Sequence, residues 1–399
     1  MNQRARVLQV ARERRQPLGF SVAAYLRSMD WVLLGATLGL VTYGFFMLYS
    51  ATHADPTLST PFFYVRSQAI GLALGLVFLV TLSIVDYLWF ARWQVYIYAG
   101  SLLLLILTLV IGSGKETVGA NRWLEFSGFR LQTAELVKFL LILSLGAVLT
   151  EGVELRRRFR FVVLSIGYVL VPGVLVFLQP DLGTSLVFVA ILLVMLTIWG
   201  ARLRHLGIIA GAGIFGAVTV LRILPSVFGF HLLKDWQLAR LEVFLDPERD
   251  PSNTGYQLIQ SKIAVGSGMF TGKGYLEGTQ HNLNFLPERH TDFIFAVIGE
   301  ELGFMGAALL IGLFAIVVWR AYRIARMSRD LYGTLVAAGV AGVLVFQVFV
   351  NIGMTIGIMP VTGLPLPFLS FGSSSLVVFL MAIGLLESIH VHSVAESPK

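Results

Sequence analysis

The chain has 399 residues, of which 56% are hydrophobic and 13% charged, with a mean hydropathy of +0.78. A soluble domain carries roughly 25% charged residues, and a water-soluble fold could not hide this much apolar surface, so lipid is the solvent for most of the chain. The net charge of +7 does not call for nucleic acid, because the basic residues sit between apolar runs in the alternating pattern of the positive-inside rule.

Residues 1–30 form a basic tail carrying Arg4, Arg6, Arg12, Arg14, Arg15 and Arg27, expected on the cytoplasmic side. The first apolar run, 31–50, is too long for the core of a signal peptide and is read as a retained helix. Further runs follow at 67–85, 93–111, 131–149, 161–178, 182–199, 206–224, 293–319, 332–352 and 374–390. Each is about long enough to span, and none alternates as a barrel strand would. The expected fold is therefore an all-α integral membrane protein of about ten transmembrane helices, with residues 31–390 as one domain and 391–399 as a cytoplasmic tail. Arg92, Arg156, Arg157, Arg158 and Arg160 fall between alternate runs, as do Arg202, Arg204 and the Arg320–Arg329 cluster. They place both termini in the cytoplasm. One outer segment, 225–291, is far longer than the rest. Its Tyr256, Phe270, Tyr275 and Phe285 argue for a packed extracytoplasmic loop rather than disorder.

The polar residues concentrate in a few places. The stretch Asn284-Phe285-Leu286-Pro287-Glu288-Arg289-His290-Thr291-Asp292 runs straight into the eighth apolar run. An aspartate at that boundary has its pKa raised by the apolar flank and lowered by His290 and Arg289, which suits a tunable general base. A second reading stands beside it: Thr291 or Asp292 caps the following helix. If that helix starts early, at Pro287, Glu288 and Asp292 share a face. Asn121-Arg122-Trp123 precedes the fourth run, which holds Glu135 and Lys138 three residues apart; they either neutralise each other or meet a substrate phosphate. The long loop adds Lys234, Arg240, Arg249, Lys262 and Lys273 among acidic residues, a solvated face from which an anionic headgroup could draw ligands. Asp246 to Asp250 lacks the spacing of a calcium loop, so a divalent cation is an open possibility without an assigned site. The chain has no cysteine, and hence no disulfide framework or thiolate metal site. Finally, Pro360, Gly363, Pro365 and Pro367 break an uncharged stretch that either encloses a pocket or only turns the chain.

Several of these pieces together resemble the SEDS family, which includes the RodA and FtsW branches. They are Asp246-Pro247 with Asp250-Pro251, Gly255-Tyr256-Gln257, Gln260-Ser261-Lys262, Leu286 through Phe293, Asn351-Ile352-Gly353-Met354-Thr355 and Pro365-Leu366-Pro367-Phe368-Leu369-Ser370. Gly278-Thr279-Gln280 and Met359-Pro360-Val361-Thr362-Gly363 look like the elongation, RodA-type branch. Two departures stand out: Gln132-Thr133-Ala134-Glu135 where the family commonly has Gln-Pro-Ser-Glu, and Phe371-Gly372-Ser373-Ser374 in place of a double glycine. The resemblance implies a peptidoglycan glycosyltransferase that polymerises lipid II at the outer face of the bacterial cytoplasmic membrane, with Asp292 as its catalytic aspartate. It further implies Arg122, Trp123, Glu135, Lys138, Lys262, Glu288, His290 and Ser370 as substrate-binding residues. The partners implied are a class B penicillin-binding protein, other elongation-complex membrane proteins and membrane lipid. Two other functions fit the same residues, a lipid II transporter and a membrane scaffold for the penicillin-binding protein.

Overall fold

The computed structural model describes residues 22–54, 60, 62–114, 121–126, 129–155, 158–219, 223, 226, 235–250, 254–283 and 285–395. The N-terminal arginines before Arg27, together with Lys115, Arg156, Arg157, Lys234, Pro251 and Asn284, lie outside them. Among the described residues nine helices are long and apolar enough to cross a membrane. In chain order these are α1 (Trp31–Thr52), α2 (Phe63–Ile84), α3 (Gln94–Ile111), α4 (Thr133–Glu151), α5 (Phe159–Phe177) and α6 (Leu182–Trp199). Beyond α7 (Leu203–Val218), the long loop contributes α8 (Asp235–Leu245) and α9 (Thr254–Ser267), and the bundle closes with α10 (Ile294–Met327), α11 (Leu331–Thr355) and α12 (Ser373–Ala395). The expected run 206–224 is described only as α7, 16 residues long. Two features differ from the expectation. A small antiparallel hairpin, β1 (Trp123–Phe126) with β2 (Phe129–Gln132), stands where a bare loop was read, and α12 continues beyond residue 390 to Ala395.

Helices in lipid gain nothing from hiding apolar surface from an equally apolar solvent, so close packing and buried polar contacts decide which ones associate. Glycine provides the packing between α2 and α12. A Cβ on Gly71 would lie 2.8 Å from that of Ser373, one on Gly75 would lie 2.5 Å from Leu380 Cδ1, and one on Gly384 would lie 2.4 Å from the carbonyl oxygen of Leu79. Ion pairs provide the polar contacts. Asp30 caps α1 by accepting from Leu33 N (3.1 Å), accepts from Arg320 Nε on α10 (2.6 Å), and donates its own N–H to Glu387 Oε2 on α12 (2.9 Å). Inside α4, Lys138 Nζ donates to Glu135 Oε1 at 2.6 Å, both side chains being almost fully buried. That pair borders a cavity of about 20 Å³, lined otherwise by Phe139, Val340, Val343 and Phe379 among others, room for about one water.

The helix α10 is broken at Gly303, whose φ of 60° and ψ of −155° leave the helical region. Such a break frees the carbonyls of Glu300 and Glu301 and the amides of Phe304 and Met305. All four are taken up by the segment that follows α9: Lys273 N and Gly274 N donate to the two carbonyls at 3.0 Å each, while Phe304 N and Met305 N donate to Met269 O (3.0 Å) and Phe270 O (3.1 Å). The approach is close enough that a Cβ on Gly268 would lie 1.8 Å from Gly299 O and one on Gly272 would lie 2.0 Å from Glu301 O. The Glu300 carboxylate, wholly buried, tightens the same contact by accepting from Lys273 Nζ (2.6 Å) and Thr279 N (2.8 Å). In its described part, the long loop is thus packed on the bundle.

Two stability outcomes follow from this packing. Gly384→Ala forces a methyl against main chain and should cost about 1–3 kcal/mol as overpacking. Gly167→Ala, with nothing within 4 Å of the added Cβ, should stay within about 0.5 kcal/mol; equal melting temperatures for the two variants in detergent would contradict the α2–α12 contact. Removing one member of the buried pair, as in Lys138→Met, should cost about 3–5 kcal/mol because Glu135 is left uncompensated. Adding Glu135→Gln should recover most of that loss in a double-mutant cycle.

Candidate active site

The chain between Leu286 and Phe293 runs as successive turns, and α10 begins only at Ile294. Pro287 therefore does not open the helix, and Glu288 and Asp292 are not one helical turn apart. Neither Thr291 nor Asp292 caps it: the cap position is Phe293 and no side chain bonds there. Thr291 Oγ1 instead donates to Glu288 Oε2 (2.9 Å). The capping reading of Asp292 is set aside by this geometry, because the turn Glu288–Phe293 is closed through main chain, Phe293 N donating to Glu288 O at 3.1 Å.

The main chain of this turn is fixed from three sides. Arg289, buried, donates from Nε to Ala51 O at the end of α1 (2.6 Å). Asn351 Nδ2 on α11 donates to Asp292 O (3.0 Å) and to Leu364 O (2.8 Å). The loop between α11 and α12 closes the third side, with Ser370 Oγ donating to Thr291 O (2.6 Å) and Phe371 N to His290 O (2.8 Å). The His290 ring packs on Tyr64 at 4.4 Å between centroids. The proline- and glycine-rich loop is therefore part of the site wall and more than a turn.

Gly363 shows what that wall faces. It has a φ of +73°, and a Cβ built on it would lie 3.4 Å from Asp292 Oδ2 and 3.6 Å from Arg240 Nη1, so the carboxylate and the guanidinium of α8 converge on one glycine. Asp181, Glu288 and Arg122 complete the charged surroundings. Asp181 caps α6 by accepting from Thr184 N (3.0 Å). Arg122 donates from Nε to Gln179 O (3.0 Å) and from Nη2 to Pro180 O (2.5 Å), so main-chain carbonyls aim its guanidinium without neutralising it. Burial pushes the Asp292 carboxyl up to about 6, and Glu288 and Asp181 add to the rise against the opposing pull of Arg240 and Arg122. Burial likewise lowers Arg240, which Asp292 partly offsets.

Of the residues expected from sequence, the structure gathers Asp292, Glu288 and Arg122 into this charged group, with His290 and Ser370 bonded into its wall. Trp123 follows Arg122 on β1, paired with Gln132 on β2. Lys262 reaches the same loop from α9, its Cδ lying 2.9 Å from a Cβ built on Gly357. Glu135 and Lys138 hold each other, and among the described residues Lys138 makes no hydrogen bond to Asp292. Sequence reading left Asp181 out and kept Arg240 only as one of several loop cations. An aspartate ahead of a helix reads as a cap, which Asp181 also is, and nothing local marks Arg240 among its neighbours. Among the described residues no three His, Asp or Glu side chains converge as a metal site.

The profile of the cell cycle protein family FtsW/RodA/SpoVE matches residues 30–395. A probable peptidoglycan glycosyltransferase FtsW from Trichlorobacter lovleyi is 38% identical over 372 residues, spanning 91% of this chain and 93% of the relative. The peptidoglycan glycosyltransferase MrdB of Escherichia coli is 36% identical over 365 residues, spanning 91% and 94%. Thermus thermophilus RodA superposes with a TM-score of 0.65 at 31% identity, covering 91% of this chain and 96% of that one. A chain from a peptidoglycan synthase complex that coordinates polymerization and crosslinking superposes with a TM-score of 0.76 at 31% identity, covering 92% and 99%. This chain therefore belongs to the FtsW/RodA/SpoVE family, the SEDS peptidoglycan glycosyltransferases.

Proposed function

We propose that this SEDS glycosyltransferase polymerises lipid II at the outer face of the cytoplasmic membrane, with Asp292 as its general base. The carrying observation is the convergence of Asp292 and Arg240 on Gly363, with Arg122 close enough to act on Asp292 electrostatically. Asp292 takes the proton from the acceptor sugar's 4-hydroxyl as that oxygen attacks the donor's anomeric carbon. The bond from that carbon to the diphosphate oxygen breaks, and undecaprenyl diphosphate leaves with the electron pair. Diphosphate is already a good leaving group, so one base suffices, and the guanidinium groups of Arg240 and Arg122 supply the positive charge that stabilises it. A carboxyl near 6 is mostly ionised at neutral pH yet basic enough to accept the proton.

The short-loop arginines support an outward-facing site. An elongation role rests on Gly278-Thr279-Gln280 and Met359 to Gly363, since relatives named FtsW and MrdB match about equally. The structural likeness to a synthase complex that joins polymerization to crosslinking supports a class B penicillin-binding protein as partner. Transport is less well supported among the described residues: the Glu135–Lys138 pair closes on itself beside a space for one water, too small for a sugar.

Purified protein carrying Asp292→Asn tests the assignment. Asparagine keeps the shape and removes a carboxylate that burial disfavours, so the melting temperature should not fall, while glycan synthesis from lipid II should drop by about a hundred- to ten-thousand-fold. Polymerisation near the parental rate would end the base assignment. The acid limb of the rate profile supplies a second check. Activity should fall as pH drops through about 6, where Asp292 becomes protonated. Glu288→Gln, which removes a neighbour that raises Asp292, should move the limb to lower pH, and Arg240→Gln should move it to higher pH; a limb indifferent to both substitutions would contradict the charged group described above.

A further inference from the structure

The segment that repairs the Gly303 break carries an apolar tip that no part of the proposed reaction uses. Met269 is 81% exposed and Phe270 63% exposed. Their depth in the bilayer is fixed by what they bond to. The amides of Phe304 and Met305 belong to α10, and these two residues, 62% and 58% exposed, begin that helix's outward-facing apolar stripe. The stripe continues through Leu309, Ile311 and Ile316 to Trp319; beyond it the exposed Tyr322 and Met327 lie among the exposed Arg323 and Arg326, so the charge-free part ends at Trp319. From Phe304 to Trp319 is about 23 Å at 1.5 Å per residue, most of the thickness of a hydrocarbon core of about 30 Å. Residues 294–301, before the break, are buried throughout. Phe304 and Met305 therefore mark the hydrocarbon edge on the Asp292 side, and Met269 and Phe270, hydrogen-bonded beside them, lie at the same level.

Three further observations agree. The Phe270 ring stacks on Phe304 at 5.7 Å, making the tip continuous with the lipid-facing surface of α10. The sequence Gly268-Met269-Phe270-Thr271-Gly272 carries no charge, and the next residue, Lys273, folds its ammonium back onto buried Glu300 at 2.6 Å. Tyr275, 39% exposed, packs edge-on against Phe46 of α1 at 6.4 Å and donates its hydroxyl to Phe46 O (2.9 Å), the placement that interfacial tyrosines favour. Irregular backbone survives at membrane depth only where its polar groups are satisfied within the protein, and the four-bond exchange at the break meets that condition.

We propose that residues 268–275 form a re-entrant wedge, with Met269 and Phe270 immersed in the acyl chains of the leaflet on the Asp292 side and Tyr275 at its headgroups. The occupant of this apolar surface is bilayer lipid. Because the same segment clasps Glu300, the wedge ties the long loop to the membrane at a fixed depth.

The chain has no cysteine, so single-cysteine variants need no background removal. Met269→Cys and Phe270→Cys, spin-labelled and reconstituted at high dilution in phosphatidylcholine–phosphatidylglycerol vesicles, report depth through collisions with oxygen and with a water-soluble nickel chelate. Leu309→Cys on the spanning helix and Glu248→Cys on the exposed loop set the two limits. The wedge predicts that labels at 269 and 270 match 309, with oxygen collisions exceeding nickel collisions several-fold. Nickel exposure equal to that at 248 would place the tip in water and overturn the proposal. Protection from both reagents would mean contact with another protein copy and would overturn it too. Met269 is the more exposed of the two, so its variant reads depth even if a label at Phe270 disturbs the stack on Phe304.

Discussion

A helix that breaks inside a membrane protein must find new partners for the backbone groups it frees, and the break at Gly303 is the point on which this molecule turns. Four main-chain groups lose their helical partners there, and each unsatisfied one would cost several kcal/mol in lipid. The segment from Met269 to Gly274 returns all four. This single requirement explains why an extracytoplasmic loop packs against a transmembrane helix, why glycine stands at 268 and 272, and why a buried glutamate follows so soon after the proposed base. The part of α10 before the break is then free to follow a direction set by its contacts with α1, α9 and α11 rather than by the axis of its lipid-facing half.

That freedom matters because Asp292 sits at the mouth of this short outer segment. Its peptide is held by Asn351, Ser370 and the neighbouring Arg289, groups from α11, the loop before α12, and the turn itself. A side chain positioned through its main chain can present both carboxylate oxygens to a substrate. The chemistry needs that arrangement, since a base placed about 1 Å out of line loses much of its rate. Gly363 completes the geometry: its positive φ is unfavourable for a residue with a Cβ, and an added methyl would crowd the space where Asp292 and Arg240 meet.

The spanning helices were legible from sequence because lipid imposes length and apolarity on each one separately, and nine of the expected runs appear as expected. The motif Leu286 to Asp292 stood out as a dense run of ionisable groups at a membrane boundary, but from those residues alone a helix cap and a site read alike, and only the family resemblance pointed to the second. The start of α10 was read to within one residue, at 293, and the alternative early start at Pro287 is not taken. Pro287 and Glu288 look like a first turn, but the Arg289 contact to Ala51 and the Ser370 contact to Thr291 hold those residues in turns, and neither partner is near in sequence. Arg240 and Asp181 were hidden by the same cause. Each is ordinary among its neighbours in the chain, and only the folding of α8 and α6 toward Gly363 gives them a role. The small hairpin at Trp123 escaped because four-residue strands carry too little pattern to separate from a loop.

Three carboxylates share the site, and their surroundings distinguish them. Asp181 spends its oxygens on the first turn of α6, accepting from the amide and the hydroxyl of Thr184; a group that holds a helix terminus is poorly placed to exchange protons with a substrate. Glu288 is exposed and accepts from Thr291, where water screens its charge. Asp292 is raised toward neutrality by burial and by Glu288, and set beside guanidinium groups that favour its ionised form. The same kind of group thus serves in three different settings, and the setting decides what each can do. Glu288 and Asp181 both add to the rise at Asp292, which is why Asp292 is the carboxylate proposed for the proton transfer.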